Sequence, residues 1–89
     1  MGAIEEIKKS IKEGNAVIGT NEVIDGLKKS KLAKVYVTSN CPEDIKKDVN
    51  YYADFSNADV VNLREKNDEL GMICKKPFSI SLFGVNKGA

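Results

Sequence analysis

Between Ala16 and Thr38 the chain reads AVIGTNEVIDGLKKSKLAKVYVT. Ala16-Val17-Ile18 is too short for a helix and suits a buried strand. After the polar Gly19-Thr20-Asn21-Glu22, the residues Val23, Ile24 and Leu27 recur at helical spacing, giving an inner face to a helix that Thr20 or Asn21 can cap. Gly26 weakens that helix slightly unless close packing needs it. Ala33 to Thr38 is β-branched, alternating and aromatic, the pattern of a central strand. Strand, helix and strand in so short a stretch form the repeating unit of a layered α/β fold.

The same alternation extends in both directions. Ile4, Ile7 and Ile11 form one stripe of a helix over residues 3 to 13, which Gly14-Asn15 ends. Beyond Thr38, Asn40-Cys41-Pro42 turns the chain, Pro42 fits a first helical position, and Glu43 and Asp44 suit a helix's positive end. Ile45, Val49, Tyr52 and Ala53 continue that helix to about Phe55. Val60, Val61 and Leu63 predict a third strand, and Asn67 or Asp68 caps a short helix with Leu70, Ile73 and Cys74 inward. Lys75 and Lys76 fall at its negative end, and Pro77 stops it. Phe78 to Val85 alternates as a closing strand, with Asn86 to Ala89 as a tail. The order predicts one α/β domain over residues 1–89, a three-layer α/β/α sandwich with a mixed four-stranded sheet.

Composition narrows the function classes. No apolar run approaches the roughly 18 residues of a membrane span, and the charged N-terminus does not resemble a signal peptide, so an intracellular protein is expected. Fourteen basic residues against 13 acidic ones, a net charge of +1, argue against general duplex or DNA binding but permit a compact RNA site if the signs segregate. They partly do: Lys28, Lys29, Lys31, Lys34, Lys75 and Lys76 gather near loops, while the acids concentrate at Glu5, Glu6, Glu43, Asp44, Asp48 and Asp54. Histidine is absent, which removes the commonest general base and the commonest zinc ligand together. Cys41 and Cys74, far apart, are expected as reduced thiols; no metal and no cofactor is expected. With no phosphate-binding glycine motif and no nucleophile–base pair, an enzyme is not expected either.

In such sheets ligands gather at loops beyond the carboxyl ends of strands. Residues 19–22, 39–42 and 64–68 are predicted there, and Lys75-Lys76-Pro77-Phe78 can fold over the same edge. Glu22 would repel a phosphate, but a carboxylate accepts the N–H donors of guanine, and Asn21 can both donate and accept. Gly19 lets backbone approach a base closely. Lysines a turn or two away would meet neighbouring phosphates, and Phe78 offers a surface for an unstacked base. Irregular or bulged RNA suits this set better than a regular A-form helix, whose deep groove hides its base edges. Each residue also has a local explanation: Thr20 and Asn21 as caps, Glu22 as a complement to the helix dipole, Asn40-Cys41-Pro42 as a turn, Lys75 and Lys76 as solvated helix-end charges, and Phe78 as core. Only their convergence on one edge makes a site.

The stretch GTNEVIDGLKKSKLAKVYV resembles the helix start of the kink-turn RNA-binding superfamily. NCPEDIKKDVNYYADFSNADVVNL followed by NDELGMICKKPFSISLFGV resembles, more narrowly, the non-bacterial type of large-subunit ribosomal protein thirty. The likeness covers nearly the whole chain. It implies an α/β/α sandwich gripping a kink-turn, an asymmetric internal loop with sheared G·A pairs and an extruded base. By that resemblance Gly19 and Thr20 approach the RNA backbone, Asn21 and Glu22 face the G·A pairs, and Asn40 adds a contact from the second loop. Lys76, Pro77 and Phe78 pack against the extruded base, and Asn67 is a weaker match. One departure is Asp25, which stands where the superfamily usually has lysine; Lys28 and Lys29 are the substitutes one turn on.

The expectation is a structural, ribosome-associated cytoplasmic protein that binds a kink-turn or bulged internal loop of rRNA, a monomer within a larger particle, touching neighbouring ribosomal proteins. The alternative in the same class is a kink-turn binder in a box C/D ribonucleoprotein or in mRNA regulation. A protein-interaction module on the same sandwich would lack the basic edge.

Overall fold

A computed structural model describes residues 3–87. In chain order its elements are α1 (Ala3–Glu13), β1 (Ala16–Ile18), α2 (Thr20–Lys28), β2 (Leu32–Val37), α3 (Glu43–Ser56), β3 (Asp59–Asn62), α4 (Asn67–Ile73) and β4 (Leu82–Asn86). The strands lie in the order β1-β4-β2-β3. β2 and β3 are parallel, while β4 runs antiparallel to both its neighbours, β1 and β2. This is the mixed four-stranded sheet that the alternation predicts.

Strand alternation sorts the side chains into two layers. Val35 and Val37 of β2, with Leu82, meet Val23 and Leu27 of α2 and Val49 and Ala53 of α3. Tyr36 and Phe83 point the other way, their rings 6.0 Å apart, and meet Ile7 of α1 and Leu70 of α4. Each buried valine, leucine, isoleucine or phenylalanine among them contributes about 1.5–3 kcal/mol, so neither layer is an ornament on the other. The sandwich is closed on both sides.

Helix ends follow local chemistry. Gly14, with φ 76°, ends α1 while the Asn15 N–H donates to the Ser10 carbonyl at 2.9 Å. Asn57 ends α3 in the left-handed conformation that asparagine tolerates, with φ 60°.

Lys66, rather than Asn67 or Asp68, is the cap of α4, and Pro42 is the cap of α3 rather than its first residue. Three further expectations change. The closing strand begins at Leu82 rather than Phe78, because the segment before it packs on α4 instead of β2. The Ile80 N–H donates to the Asn67 carbonyl at 3.0 Å, and a Cβ on Gly71 would lie only 2.2 Å from the Phe78 carbonyl oxygen. The alternation from Phe78 to Leu82 therefore reflects a loop that buries Ile80 against a helix. Second, Thr20 is the first residue of α2, and Gly19 is its cap, with φ 112° and ψ 147° and no side-chain cap. Third, Asn86 belongs to β4 opposite Leu32, and the Lys87 N–H donates to the Lys31 carbonyl. The rest of the expected tail, residues 88–89, lies outside the described residues.

The register fixes where ligands can gather. Ile18 pairs with Phe83, and Val37 pairs with both Leu82 and Asn62. The carboxyl ends of β1, β2 and β3 and the start of β4 thus share one edge.

Candidate nucleic-acid interface

At the β1 side of that edge, Gly19 leads into α2 with a positive φ that L side chains rarely adopt. The Val23 N–H, bound to the Gly19 carbonyl at 3.0 Å, closes the first turn. The N–H groups ahead of it are the open donors of a helix start, and no side chain caps them. Glu22 is exposed, and its carboxylate folds back over the turn: its Oε2 is 2.7 Å from where a Cβ on Gly19 would stand. A larger residue at 19 would collide with the group expected to read bases. Asn21 is exposed beside it. Thr20, Asn21 and Glu22 form one end of an open groove between α2 and α3, with Asp25 and Lys28 along α2 and Asp48 across from them.

The loop after β2 meets the loop after β3 through two asparagines. The Asn40 side-chain N–H donates to the Asn67 side-chain oxygen at 3.1 Å, and the Asn67 backbone N–H donates to the Asn40 side-chain oxygen at 2.9 Å. Asn40 therefore caps α4 from another loop, and both carboxamides keep N–H donors for a ligand. The Ser39 N–H to Glu65 carbonyl bond, 2.9 Å, and the Thr38 N–H to Ser81 carbonyl bond, 3.1 Å, stitch the loops together along the edge.

The chain from the end of α4 returns to the edge alongside that helix. Phe78 is 55% exposed, which overturns its reading as core. It lies with Lys76, Pro77 and Ser79 around a shallow cavity of about 240 Å³ that Asp68 and Met72 of α4 complete. Met72, 70% exposed, is the residue that sequence reasoning passed over. Its spacing of four from Asp68 and from Lys76 was the available signal.

Two expected members stand apart from this edge. Lys29 lies just past the far end of α2, about 13 Å of helix from its start, and pairs with Asp25 at 3.0 Å. Lys75, with φ 57°, turns away from Lys76 into a groove against α1. Lys28 lies between the two cases: it lines the α2–α3 groove, and its ammonium sits 5.2 Å from the centre of the Tyr52 ring. The two cysteines are buried in opposite layers, free, and burial pushes both thiols above their ordinary pKa.

Comparison with known proteins agrees with this architecture. The chain is 38% identical over 74 residues to the large ribosomal subunit protein eL30 of Methanothermobacter thermautotrophicus, covering 83% of this chain and 76% of that one. It is 36% identical over 84 residues to eL30 of Sulfurisphaera tokodaii, covering 94% and 79% respectively. Among solved structures, the Giardia lamblia 15.5kD RNA binding protein superposes with a TM-score of 0.83 at 15% identity, covering 96% of this chain and 71% of that one, a likeness of fold. The model of the Ribosomal protein L7Ae/L30e/S12e/Gadd45 family matches residues 2–89, and the chain belongs to that family.

Proposed function

We propose that this chain is a non-enzymatic protein of the large ribosomal subunit, working on ribosomes in the cytoplasm, that binds a kink-turn in rRNA. The observation that carries the reading is the uncapped start of α2 with the Glu22 carboxylate folded over Gly19. It lies on the edge that the Asn40–Asn67 pair and the loop through Lys76, Pro77 and Phe78 also reach. The eL30 relatives support the ribosomal setting.

Each group has a defined task in this reading. Gly19 and Thr20 bring backbone N–H groups to the RNA backbone, which the positive end of α2 favours. Glu22 accepts the N–H donors of a guanine in a sheared G·A pair, and Asn21 donates to and accepts from its partner. Phe78 and Pro77 pack against the extruded base, a contact worth about 1–3 kcal/mol. Lys76 neutralises an adjacent phosphate. Asn40 and Asn67 offer their remaining N–H donors between these two points.

A gel-shift panel tests this with three RNAs: a kink-turn, the same RNA with its G·A pairs replaced, and a plain duplex. Wild type should prefer the first strongly. Glu22→Ala should lose the discrimination, whereas Lys76→Ala should weaken all binding and reduce the salt slope by about 1. Equal wild-type affinity for all three RNAs defeats the reading, and a Glu22→Ala protein that still discriminates defeats the role given to the carboxylate.

A further inference from the structure

On the opposite layer, α1 and α4 enclose a second groove, a cavity of about 340 Å³ floored by Ile11, Ile73 and Cys74 and rimmed by Lys8, Lys12 and Lys75. Three cations line it and no carboxylate does. Lys8 and Lys12 are one turn apart on α1 and share a side of it. The ion pairs found among the described residues, Lys29–Asp25 and Lys34–Glu6, use none of the three.

Lys75 carries the second observation. It follows the last residue of α4 and its cap, Cys74, at the position where glycine commonly closes a helix in the left-handed conformation. A lysine holds that conformation here, with φ 57°. The backbone strain is unnecessary for the turn, which glycine would make freely, yet it sends consecutive lysines to different places. Lys76 goes to Phe78, and Lys75 goes to Lys8 and Lys12. Ser30 and Asn57 hold the same conformation at the ends of α2 and α3, so it is where the turn sends the Lys75 side chain, and not the strain, that bears on the groove.

We propose that this groove is a second phosphate site, which takes the backbone of an RNA stem flanking the element bound at the edge. The proposal rests on the RNA-binding reading of that edge. Three ammonium groups around an apolar floor repel one another until a polyanion neutralises them, and they offer point charges without any acceptor, which suits phosphates rather than bases. Helix α4 starts at the edge with Asn67 and ends at the groove, about 10 Å away along its axis. A stem leaving the edge along α4 therefore reaches the three lysines. An acidic protein segment is the competing occupant, and it would leave RNA affinity untouched.

The test uses the full chain and three kink-turn RNAs, one with minimal stems and two in which one stem or the other is lengthened by a helical turn. Binding is measured across salt concentrations. For wild type, lengthening one stem should steepen the salt slope by about 2, since each neutralised phosphate contributes roughly 0.7–0.9. The triple variant Lys8→Ala, Lys12→Ala, Lys75→Gly should lose that increment and bind the long RNA at least tenfold more weakly. Its affinity for the short RNA should stay within about twofold of wild type. Lys75→Gly relieves the strained turn, so this single variant should be at least as stable as wild type and still lose part of the increment. A wild-type slope that is unchanged by lengthening each of the two stems overturns the proposal, and so does a variant that keeps the increment. Failure of the edge reading looks different: wild type would not prefer the internal loop to a duplex, whatever the stem length.

Discussion

Two helices begin on the same edge, and they begin in opposite ways. At α4 the first donors are taken by the chain itself: the Asn67 N–H by Asn40, the Lys66 N–H by Glu69 at 3.4 Å, and the Glu69 N–H by Asp68 at 2.9 Å. At α2 no side chain caps the start, and a glycine stands where serine, aspartate or asparagine would stabilise the helix by about a few tenths of a kcal/mol. The closed start is built for rigidity. The open one forgoes that stability and leaves positive backbone donors with a carboxylate beside them. Both lie where loops of an α/β sheet meet ligands, so position alone does not make a site. What separates them is whether the chain has already satisfied its own polar groups.

The largest effect should come from disturbing the closed side. Gly71→Ala places a methyl 2.2 Å from the Phe78 carbonyl oxygen, a backbone atom that cannot swing aside. The loop through Phe78 must move, and we expect a loss of about 3 kcal/mol in urea unfolding. RNA affinity should fall with it, because Lys76 and Phe78 ride on that loop. Unchanged stability would mean that the close approach is not a structural constraint. Next in size is Gly19→Ala. Its φ of 112° is unfavourable for alanine, and the new Cβ meets the Glu22 carboxylate at 2.7 Å. The expected cost is about 1–3 kcal/mol of stability, together with a loss of kink-turn discrimination like that of Glu22→Ala. If stability falls while discrimination survives, the open start is a local conformation and not a recognition element.

The contrast between the two starts was only half legible from sequence. Gly19-Thr20-Asn21-Glu22 announced itself because it interrupts an apolar strand and precedes a clean helical period. Its lack of a cap did not, because Thr20 and Asn21 are good caps by residue type and only the backbone decides which residue sits first. The Asn40–Asn67 pair joins the loop after β2 to the first residue of α4, and nothing local in either segment encodes the partner. Lys75 and Lys76 read as one charge pair until a left-handed turn sends them apart. The alternation from Phe78 to Leu82 imitated a strand because burial every second residue also arises where a loop lies on a helix. Asp25 and Lys29, by contrast, read as a departure and its substitute, although their spacing of four encodes the ion pair locally. Both layers and the sheet followed from periodicity, which is a local property. The site depended on which polar groups are already spent, and that is a tertiary property.

Asn40→Ala sharpens the comparison by opening the closed start. It removes the acceptor of the Asn67 N–H and one side-chain bond. The cap is worth about 0.5–2 kcal/mol, so a cost near 1 kcal/mol is expected, and Asn67→Ala added to it should cost little more because the pair acts as a unit. Fully additive losses would mean that the two carboxamides act independently and that the clamp across the loops does not exist.

The smallest effect compares the two layers under alkali. Four groups have raised pKa values. Burial lifts Cys41, Cys74 and Tyr36 above their ordinary 9.0, 9.0 and 10.0, and the hydrogen bond to Glu6 lifts Lys34 above 10.5. Each holds its proton more tightly when folded. Below pH 9 both states keep these protons and the contribution to stability is complete. As pH rises past 9, the unfolded chain releases protons that the folded chain retains, so stability declines. Tyr36, Cys74 and the Lys34–Glu6 pair belong to the layer of α1 and α4, whereas only Cys41 lies under α2 and α3. Urea midpoints should therefore drop between pH 8 and pH 10.5, by less than Asn40→Ala costs at pH 8. Mass-resolved alkylation over that range should label Cys74 before Cys41. If Cys41 reacts first, the layer beneath the open helix start is the weaker one, and the absence of a cap at Gly19 costs the fold more than the burial around it suggests.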